Sequence, residues 1–491
     1  MRALVRAVAV VAALVLLVPA LVSPAAASGD PLTRWARDTW ASFVAMTDSG
    51  TGLPTDRLRD DGIRSRETSI TDIGAYLWST VAAERLRVIG HGEAVARLSK
   101  TIGTLERMER HAPSGQFYNW YDQTTGAKLT TWPPTGAAIT PILSSVDNGW
   151  LATGLRIVGN AVPELAARTR ALYDSMNFGF YYRPDVNRIL FNYAPDTGAS
   201  ACCYDTIVSE SRIADYIGIA KGELPAKEYY GAWRSFPDTC DWSWQETRPF
   251  GVWRRYLGVD VFEGAYPYAG IRVTPSWGGS MFEALMPSLF VPEERWAPRG
   301  WGVNHPLTVD AQIHHGMREA GYGYWGFSPA NVPEVPAGSA EGDYAAYGVD
   351  GIGMDPGGYP SNEDATLVDA GFPGCPGRPA QPAPPPAAYT RGVVTPHAAF
   401  LALRYRPAAA LADLRRLARD FSVYTRWGFR DSVDVGTGAV SPFYLSLDQG
   451  MIMAALGNAL GGDVLRRAFA TPDLERALRP VIGVERFGAG R

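Results

Sequence analysis

The sequence predicts an all-α protein whose architecture is an (α/α)6 toroid, with six inner helices ringed by six outer ones. Roughly twelve segments have the apolar periodicity of amphipathic helices, and many of them follow each other in pairs. The segments between pairs are long and rich in Gly, Pro, Trp and Tyr, with room for short hairpins but few long strands. Connections longer than about 15 residues are usually functional in a compact domain. Paired helices with long loops at one end therefore indicate a cleft that the loops line.

Each helix is assigned from its periodicity, and several begin at an acidic residue. Asp72 opens TDIGAYLWSTVAAERL, Asp147 opens VDNGWLATGLRIV, and Glu210 opens SESRIADYIGIAK. Asp448 lies at the start of a later helix in YLSLDQGMIMAAL. Asp is a preferred N-cap residue and Glu is not, so capping explains the three aspartates but explains Glu210 poorly. The predicted helices span residues 33–46, 72–90, 93–110, 147–160, 162–175, 206–221, 280–290, 306–320, 395–404, 407–423, 446–460 and 463–480.

A helical repeat solenoid is the alternative architecture, and the absence of a repeat of fixed period disfavours it.

With 491 residues, 46% of them hydrophobic, the chain is long enough for one large or two medium globular units. The Pro-rich segment 373–389 is either a linker or an insertion, and we interpret it as an insertion. The predicted organisation is a signal peptide over residues 1–27 and a single domain over residues 28–491.

The N-terminus has the features of a secretory signal peptide. Arg2 and Arg6 precede the apolar run AVAVVAALVLLVPALV, and small residues follow at Ala25 and Ala27. We expect cleavage near Ala27 and a secreted protein, with an uncleaved membrane anchor as the alternative. No later segment has roughly 20 consecutive apolar residues, so no membrane association is expected after cleavage. The net charge of −4, without clustered Lys and Arg, argues against nucleic acid as a partner.

Four cysteines are available for disulfide bonds in an exported protein: Cys202, Cys203, Cys240 and Cys375. A bond between adjacent cysteines is strained, so we expect Cys240 to bond one of the vicinal pair. A redox-active vicinal pair is the alternative. The chain has no CxxC spacing and only six His, so a zinc site is not expected and neither is another metal or organic cofactor.

Aromatic residues are abundant, with 15 Trp and 23 Tyr, and many lie in loops beside Gly. The apolar C–H faces of a pyranose stack on aromatic rings, while its hydroxyl groups pair with carboxylates and amides. Loop aromatics near acids therefore indicate sugar binding, with ordinary core packing as the alternative. The loop aromatics are Trp120, Trp132, Trp277, Trp325, Tyr322, Tyr324, Tyr347 and Tyr359.

Acidic residues at helix starts and in loops favour glycoside hydrolysis, which needs one protonated and one ionised carboxyl group. An acid that is desolvated beside aromatic rings has a raised pKa, as a proton donor requires. Arg212, two residues after Glu210, does not share a helix face with it and is expected to bind another carboxylate. His397 is interpreted as a helix-start residue rather than as a base. The other candidate acids are Glu283, Asp350, Asp355, Asp431 and Asp434.

The sequence lacks the motifs of several other enzyme classes. The sequence contains no GxSxG elbow, no P-loop and no GxGxxG in a βαβ context. A polysaccharide lyase remains an alternative, because lyases also use α/α toroids and employ Tyr or His as the base. A glycan-binding protein without catalytic activity is the second alternative.

Seven segments carry a resemblance to a known family. In chain order they are TSITDIGAYLWSTVAA, SSVDNGWLATGL, YDTIVSESRIADYIGIAKGELP, SWGGSMFEALMP, YGVDGIG, VVTPHAAFLAL and YLSLDQGMIMAALGNAL. Together, over residues 35–462, they resemble the glucoamylase-like domain of bacterial endo-β-1,2-glucanases and of the C-terminal part of cyclic β-1,2-glucan synthases. The resemblance implies an (α/α)6 barrel that hydrolyses a polysaccharide, with a β-glucan such as β-1,2-glucan as the expected substrate. Other bacterial cell-wall glycans, such as arabinan or galactan, are the alternative.

The resemblance also implies roles for individual residues. Glu210, in the SESR segment, matches the position of a proton donor, and Asp147, in VDNG, matches an acid that binds substrate or assists the water. Asp350 and Asp448 are expected to line the cleft. The complete set of expected substrate-binding residues is Asp72, Arg212, Trp277, Glu283, Trp325, Tyr347, Asp350 and Asp448. The oligomeric state is left open.

Overall fold

The computed structural model describes residues 30–236, 248–336, 339, 342–354 and 392–491. Over these residues the chain is rich in helices, as predicted, and its strands are short. The predicted signal peptide, the Pro-rich segment 373–389, Tyr359 and Asp355 lie outside the described residues. The helices are α1 (Pro31–Met46), α2 (Ile70–Arg85), α3 (His91–Leu105), α4 (Ser145–Ala161), α5 (Ala166–Ser175), α6 (Arg212–Ala220), α7 (Met281–Leu285), α8 (Glu293–Trp296), α9 (Trp301–His314), α10 (Pro396–Leu401), α11 (Pro407–Asp420), α12 (Ser446–Gly461), α13 (Val464–Phe469) and α14 (Pro472–Ile482).

Short strands connect and precede these helices, and most pair as two-stranded ribbons. One sheet has four strands, in which β4, β5 and β7 all pair with β6. The strands are β1 (Arg57–Arg59), β2 (Glu67–Ser69), β3 (Trp120–Asp122), β4 (Leu143–Ser144), β5 (Tyr182–Arg183), β6 (Arg188–Ala194), β7 (Ala199–Cys202), β8 (Trp253–Tyr256), β9 (Val259–Phe262), β10 (Tyr266–Tyr268), β11 (Ile271–Val273), β12 (Ser276–Trp277), β13 (Ala330–Asn331), β14 (Tyr344–Ala345), β15 (Gly353–Met354), β16 (Val393–Val394), β17 (Tyr424–Thr425), β18 (Gly428–Phe429), β19 (Val433–Asp434) and β20 (Phe443–Leu445).

Six helices form the inner part of the fold, and each packs against an outer helix. Among the inner helices, α12 packs on α2, α2 on α4, α4 on α6, α7 on α10, and α10 on α12. The outer partners are α1 on α12, α3 on α2, α5 on α4, α14 on α6, α9 on α7, and α11 on α10. Their buried faces merge into one large hydrophobic cluster. The paired arrangement that the sequence predicts is therefore present in the described residues.

A serine begins three of the inner helices and positions an acid inside the first turn. The side chains of Ser69, Ser144 and Ser280 accept hydrogen bonds from the backbone N–H groups three residues later, at the start of α2, α4 and α7. The residues at that third position are Asp72, Asp147 and Glu283.

The sequence-based explanation of the aspartates as N-caps is therefore wrong for Asp72 and Asp147. Both helices begin two residues earlier than predicted, and serines do the capping. Asp72 completes a capping box with Ser69. Asp448 is likewise the third residue of α12, whose N-cap is Leu445 and has no side-chain capping bond.

Two glycines let α2 and α4 approach with their backbones in contact. A Cβ atom added at Gly74 would lie 2.6 Å from the carbonyl oxygen of Trp150, and one added at Gly154 would lie 2.8 Å from the carbonyl oxygen of Gly74. Neither position has room for a methyl group.

The structure pairs Cys202 with Cys203 at the end of β7. This pairing differs from the predicted bond to Cys240, and both Cys240 and Cys375 lie outside the described residues. None of the helices described is both long and apolar enough to cross a membrane.

Candidate active site

A pocket of about 330 Å³ lies where the first turns of α2, α4 and α12 meet the segment before α6 and the β13–β14 ribbon. Its volume is within the range of small-molecule sites, about 300–1,000 Å³. It combines four carboxyl groups with three aromatic rings. The lining residues are Asp56, Arg57, Ser69, Thr71, Asp72, Trp120, Trp132, Asp147, Glu210, Asn331, Tyr344, Leu445 and Leu447.

A larger groove of about 570 Å³ lies beside α10, α12 and α13, but four of its charged residues, Glu294, Arg404, Asp463 and Arg466, form ion pairs with one another. Within it, Glu294 accepts hydrogen bonds from Arg404 at 2.7 Å and from Arg466 at 2.8 Å. The smaller pocket is the better candidate because it brings four carboxyl groups together, and no Lys or Arg of the described residues forms an ion pair with Asp72, Asp147 or Glu210.

Glu210 is the acid most clearly adapted to hold a proton. It lies two residues before α6, and its Oε2 accepts a hydrogen bond of 2.5 Å from the indole N–H of Trp150. Burial raises the pKa of Glu210 well above its usual value, and the nearby charges of Glu283 and Asp147 raise that pKa further. The hydrogen bond from Trp150 opposes the shift without cancelling it. A carboxyl group that stays protonated near neutral pH can act as a general acid.

Asp147 is held in one orientation by hydrogen-bond donors. The hydroxyl of Thr71 donates to its Oδ1 at 2.5 Å. With the amide of Asn119 oriented so that its nitrogen faces the pocket, that nitrogen donates to Oδ2 at 2.8 Å. Burial raises the pKa of Asp147, and the hydroxyls of Ser144 and Thr71 lower it. These donors favour the ionised form and fix the direction of the carboxylate.

Asp72 has a structural role as well as a place in the pocket wall. Its Oδ2 accepts a 2.8 Å hydrogen bond from the backbone N–H of Ser69, which closes the first turn of α2. Burial raises the pKa of Asp72 well above its usual value, with a further contribution from the charge of Asp56.

Glu283 supports Glu210 from outside the pocket lining. Its Oε2 accepts a 2.8 Å hydrogen bond from the backbone N–H of Glu210, and burial raises the pKa of Glu283 to about 7. The two carboxyl groups interact strongly, because the charge of Glu283 is the largest electrostatic contribution that raises the pKa of Glu210.

We expect Glu283→Gln to move the alkaline limb of the pH profile of kcat/KM to lower pH. The amide oxygen can still accept the bond from Glu210, but the negative charge is gone, so Glu210 loses its proton at lower pH. The profile is measured on the glycan that the wild type cleaves, with Glu164→Gln, an exposed acid, as the control. An unchanged alkaline limb would exclude Glu283 as the group that tunes Glu210.

Aromatic rings form two sides of the site. Trp120 and Trp132 pack edge to face in the pocket wall, with ring centroids 5.1 Å apart. Trp277 lies in a second group, 5.6 Å from Phe191 and 5.7 Å from Tyr204. The backbone N–H of Trp277 donates to the carbonyl oxygen of Val208 at 3.1 Å, so this second group lies near the segment that carries Glu210.

Arg212, which the sequence predicts to bind substrate, does not line the pocket. It is fully buried, and its guanidinium group donates to both carboxylate oxygens of Glu293, at 2.7 and 3.1 Å. It also donates to the carbonyl oxygens of Glu283 and Ala284 and lies over the ring of Trp301. The prediction that Arg212 pairs with a carboxylate other than Glu210 is confirmed.

Four other expected substrate-binding residues lie away from the pocket lining. Trp325 is 1% exposed in the main hydrophobic cluster, and Tyr347 is buried in a small cluster with Ala330 and Val393. Asp350 and Asp448 are buried as well. None of these four side chains is among the residues that line the pocket.

Asp448 instead faces His397, whose Nδ1 is 3.2 Å from Asp448 Oδ2. Burial raises the pKa of Asp448 to about 7 and lowers the pKa of His397 to about 4. His397 is the second residue of α10, which agrees with its interpretation as a helix-start residue.

Sequence analysis missed several residues of the pocket. Asp56, Asn331 and Tyr344 come from loops and short ribbons, for which no periodicity was available. Trp150 could have been found, because it lies three residues after Asp147 and hence on the same helix face.

Comparisons with known proteins confirm the resemblance predicted from the sequence. Residues 247–471 match the family described as "Putative glucoamylase", and residues 34–180 match a family described as a protein of unknown function. The chain is 23% identical to the cyclic beta-(1,2)-glucan synthase NdvB of Rhizobium meliloti, over 91% of this chain but only 18% of that protein. It therefore spans less than a fifth of that relative.

Solved structures share the fold. An endo-beta-1,2-glucanase from Chitinophaga pinensis, determined with sophorotriose and glucose, superposes with a TM-score of 0.63 at 17% identity, covering 93% of this chain and 99% of the other. A "putative glucoamylase" from Bacteroides caccae superposes with a TM-score of 0.63 at 18% identity, covering 92% and 98%. A beta-1,2-glucanase from Parabacteroides distasonis gives a TM-score of 0.65 at 15% identity, covering 92% and 60%.

Proposed function

We propose that this protein is a secreted glycoside hydrolase that cleaves a β-glucan, with β-1,2-glucan as its substrate. The observation that carries the proposal is Glu210, a carboxyl group whose pKa is raised by burial and by neighbouring acids, in a pocket walled by Trp120 and Trp132. A raised pKa in a cleft, beside a second oriented carboxylate, is the arrangement that glycoside hydrolysis requires.

The proposed architecture is an (α/α)6 barrel. Six inner helices, each with an outer partner, support it. A direct link between α6 and α7 also supports it, because Arg212 at the start of α6 donates to two carbonyl groups of α7. In such a barrel the first turns of the inner helices converge at one end, which is where the acids of the pocket lie.

In the proposed reaction, the proton of Glu210 moves to the glycosidic oxygen as the bond between that oxygen and the anomeric carbon breaks. A water oxygen forms the new bond to the anomeric carbon. Asp147 takes the proton from this water, directly or through a hydroxyl group of the substrate. The hydrogen bond from Thr71 opposes the rise that burial gives the pKa of Asp147, and the bonds from Thr71 and Asn119 orient its carboxyl group for this step.

The relatives support the choice of substrate. Two of the structures with the same fold are β-1,2-glucanases, one of them determined with sophorotriose, and the sequence relative is a cyclic β-1,2-glucan synthase. The basic residues and apolar run at the N-terminus support export.

The test incubates the purified mature protein with β-1,2-glucan and, in parallel, with β-1,3-glucan, arabinan and galactan. Products are separated by chromatography, and their ultraviolet absorbance is recorded. We expect saturated oligosaccharides from β-1,2-glucan. Unsaturated products that absorb in the ultraviolet would identify a lyase, and binding without any product would identify a glycan-binding protein. Cleavage of arabinan or galactan alone would overturn the choice of substrate.

We expect Trp132→Ala to raise KM for the cleaved glycan about tenfold, equivalent to about 1.4 kcal/mol of lost contact, with a smaller change in kcat. Trp132 lies in the pocket wall, next to Trp120, where its ring can stack on a sugar. Steady-state kinetics over a range of glycan concentrations measures the change. Trp253→Ala, which removes an exposed ring outside this pocket, is the matched control. Equal KM values for Trp132→Ala and the wild type would remove Trp132 from the substrate site.

A further inference from the structure

A compact group of three metal-ligating side chains lies behind one wall of the pocket. It consists of His397 at the start of α10, Asp448 in the first turn of α12, and Asp431 two residues before β19. The potential ligand atoms of these three residues all lie within 4.8 Å of one another, and each residue is 1% exposed. The three residues come from separate parts of the chain, so no metal-binding motif in the sequence predicts the group.

Four polar atoms of this group lack a well-formed hydrogen bond. Over the residues that the structure describes, His397 Nδ1, Asp431 Oδ1 and both side-chain oxygens of Asp448 form no hydrogen bond of normal geometry, although His397 Nδ1 and Asp448 Oδ2 lie 3.2 Å apart. Buried polar groups in native proteins are almost always hydrogen-bonded, and each unsatisfied one costs about 1–3 kcal/mol. No Lys or Arg in the described part of the chain forms an ion pair with either carboxylate. A species that supplies positive charge would satisfy all of these atoms together.

Asn331 provides an independent indication of a ligand. Its side chain is 1% exposed, and neither the oxygen nor the nitrogen of its amide has a partner within the described residues. Its backbone N–H donates to Asp431 Oδ2 at 2.6 Å, which places the residue directly against the group. Asn331 also lines the pocket, so it separates the three side chains from the substrate site.

We propose that His397, Asp431 and Asp448 bind a divalent first-row transition-metal cation, Zn²⁺ or Mn²⁺. One imidazole nitrogen with two carboxylates is a donor set typical of these ions, whereas Ca²⁺ and Mg²⁺ prefer oxygen ligands alone. The amide of Asn331 supplies a further ligand or a partner for a metal-bound water. The sequence predicts no metal, because it has no CxxC spacing and only six His.

The cation has a structural role in this proposal. It joins α10, α12 and the segment before β19, and through the bond between Asn331 and Asp431 it fixes β13. Asn331 pairs in turn with Tyr344 of β14, which also lines the pocket. Bound metal therefore holds one wall of the substrate pocket in place.

The test uses the full mature chain, purified without a polyhistidine tag and without chelator. Its Zn and Mn content is measured by inductively coupled plasma mass spectrometry. Bound metal is then removed with a chelator, the chelator is removed, and the metal-free protein is titrated with ZnCl₂ by calorimetry. We expect about one equivalent of metal in the wild type and at least a 100-fold weaker Zn²⁺ affinity in His397→Gln. His315→Gln is the matched control, because His315 is also 1% exposed but contacts Glu319 instead, and it should bind Zn²⁺ like the wild type.

A second pair of variants covers the case in which His397→Gln fails to fold. Asp431→Asn should lose the rise in Tm that Zn²⁺ or Mn²⁺ gives the wild type, while Asp434→Asn, at an equally buried neighbour, should keep it. A wild type that holds no metal and shows no change in Tm with either ion would overturn the proposal, as would equal affinity in His397→Gln. Cleavage of β-1,2-glucan is assayed separately, so a failure of the metal site leaves the proposed hydrolase unaffected.

Discussion

Glu210→Gln should lower kcat on the cleaved glycan by about 10²–10⁴-fold, the usual contribution of a general acid. The substitution preserves the size of the side chain, and the amide oxygen can still accept the hydrogen bond from Trp150. It removes the proton that the leaving oxygen needs. KM should change little, because a side chain of the same size still occupies this place in the pocket wall. Initial rates measured with wild type and variant on the same glycan give the ratio.

The choice of substrate separates the loss of an acid from the loss of structure. On a 4-nitrophenyl glycoside of the same sugar, the leaving group departs without a proton, so Glu210→Gln should be far less impaired. Glu164→Gln, at an exposed helix position, should behave like the wild type on both substrates. Equal loss on both substrates would show that Glu210 does not act as the proton donor.

Arg212→Met should destabilise the folded protein by about 3–5 kcal/mol, because it leaves a buried carboxylate without its cation. Glu293 is 0% exposed and depends on the guanidinium of Arg212, which also lowers the pKa of Glu293 to about 2 together with His305. The substitution also leaves the carbonyl groups of Glu283 and Ala284 without donors between α6 and α7. Unfolding in urea, followed by tryptophan fluorescence, measures the change.

Two further variants show whether the charge or the geometry of Arg212 matters. Arg212→Lys keeps the charge but cannot donate to both oxygens of Glu293, so it should recover only part of the stability. Arg168→Met breaks a surface pair with Glu106 and should change stability by no more than about 1 kcal/mol. Arg212→Met with the stability of the wild type would contradict the structural role assigned to this residue.

Helices were predictable because their information is local. The apolar periodicity of 446–460 matches α12 within one residue, and that of 407–423 matches α11 at its start. The predicted segment 463–480 is two helices, α13 and α14, because Pro472 begins a new helix where the periodicity alone continues. Apolar periodicity thus identified the helices but not every boundary between them.

The site was predictable only where a chemical pattern accompanied the helix start. Glu210 was identified because Glu is a poor capping residue, and Asp147 because its segment resembles a known family. The partner of Arg212 was not predictable, because the sequence spacing shows that Arg212 does not share a helix face with Glu210 but not that the buried Glu293 lies beside it. Trp325 is part of the hydrophobic core, and sequence composition alone cannot separate a buried ring from a stacking platform.

The contact between α2 and α4 at Gly74 and Gly154 has a consequence for how this scaffold acquires new specificities. Asp72 and Asp147 lie in the first turns of these two helices, so main-chain contact, not side-chain size, fixes how far apart they stand. Any larger residue at either glycine would push the helices apart and widen the acidic end of the pocket. Substrate range in this architecture is therefore free to diversify through Trp132, in a loop, and Tyr344, in the short strand β14, while the spacing of the acids stays constant.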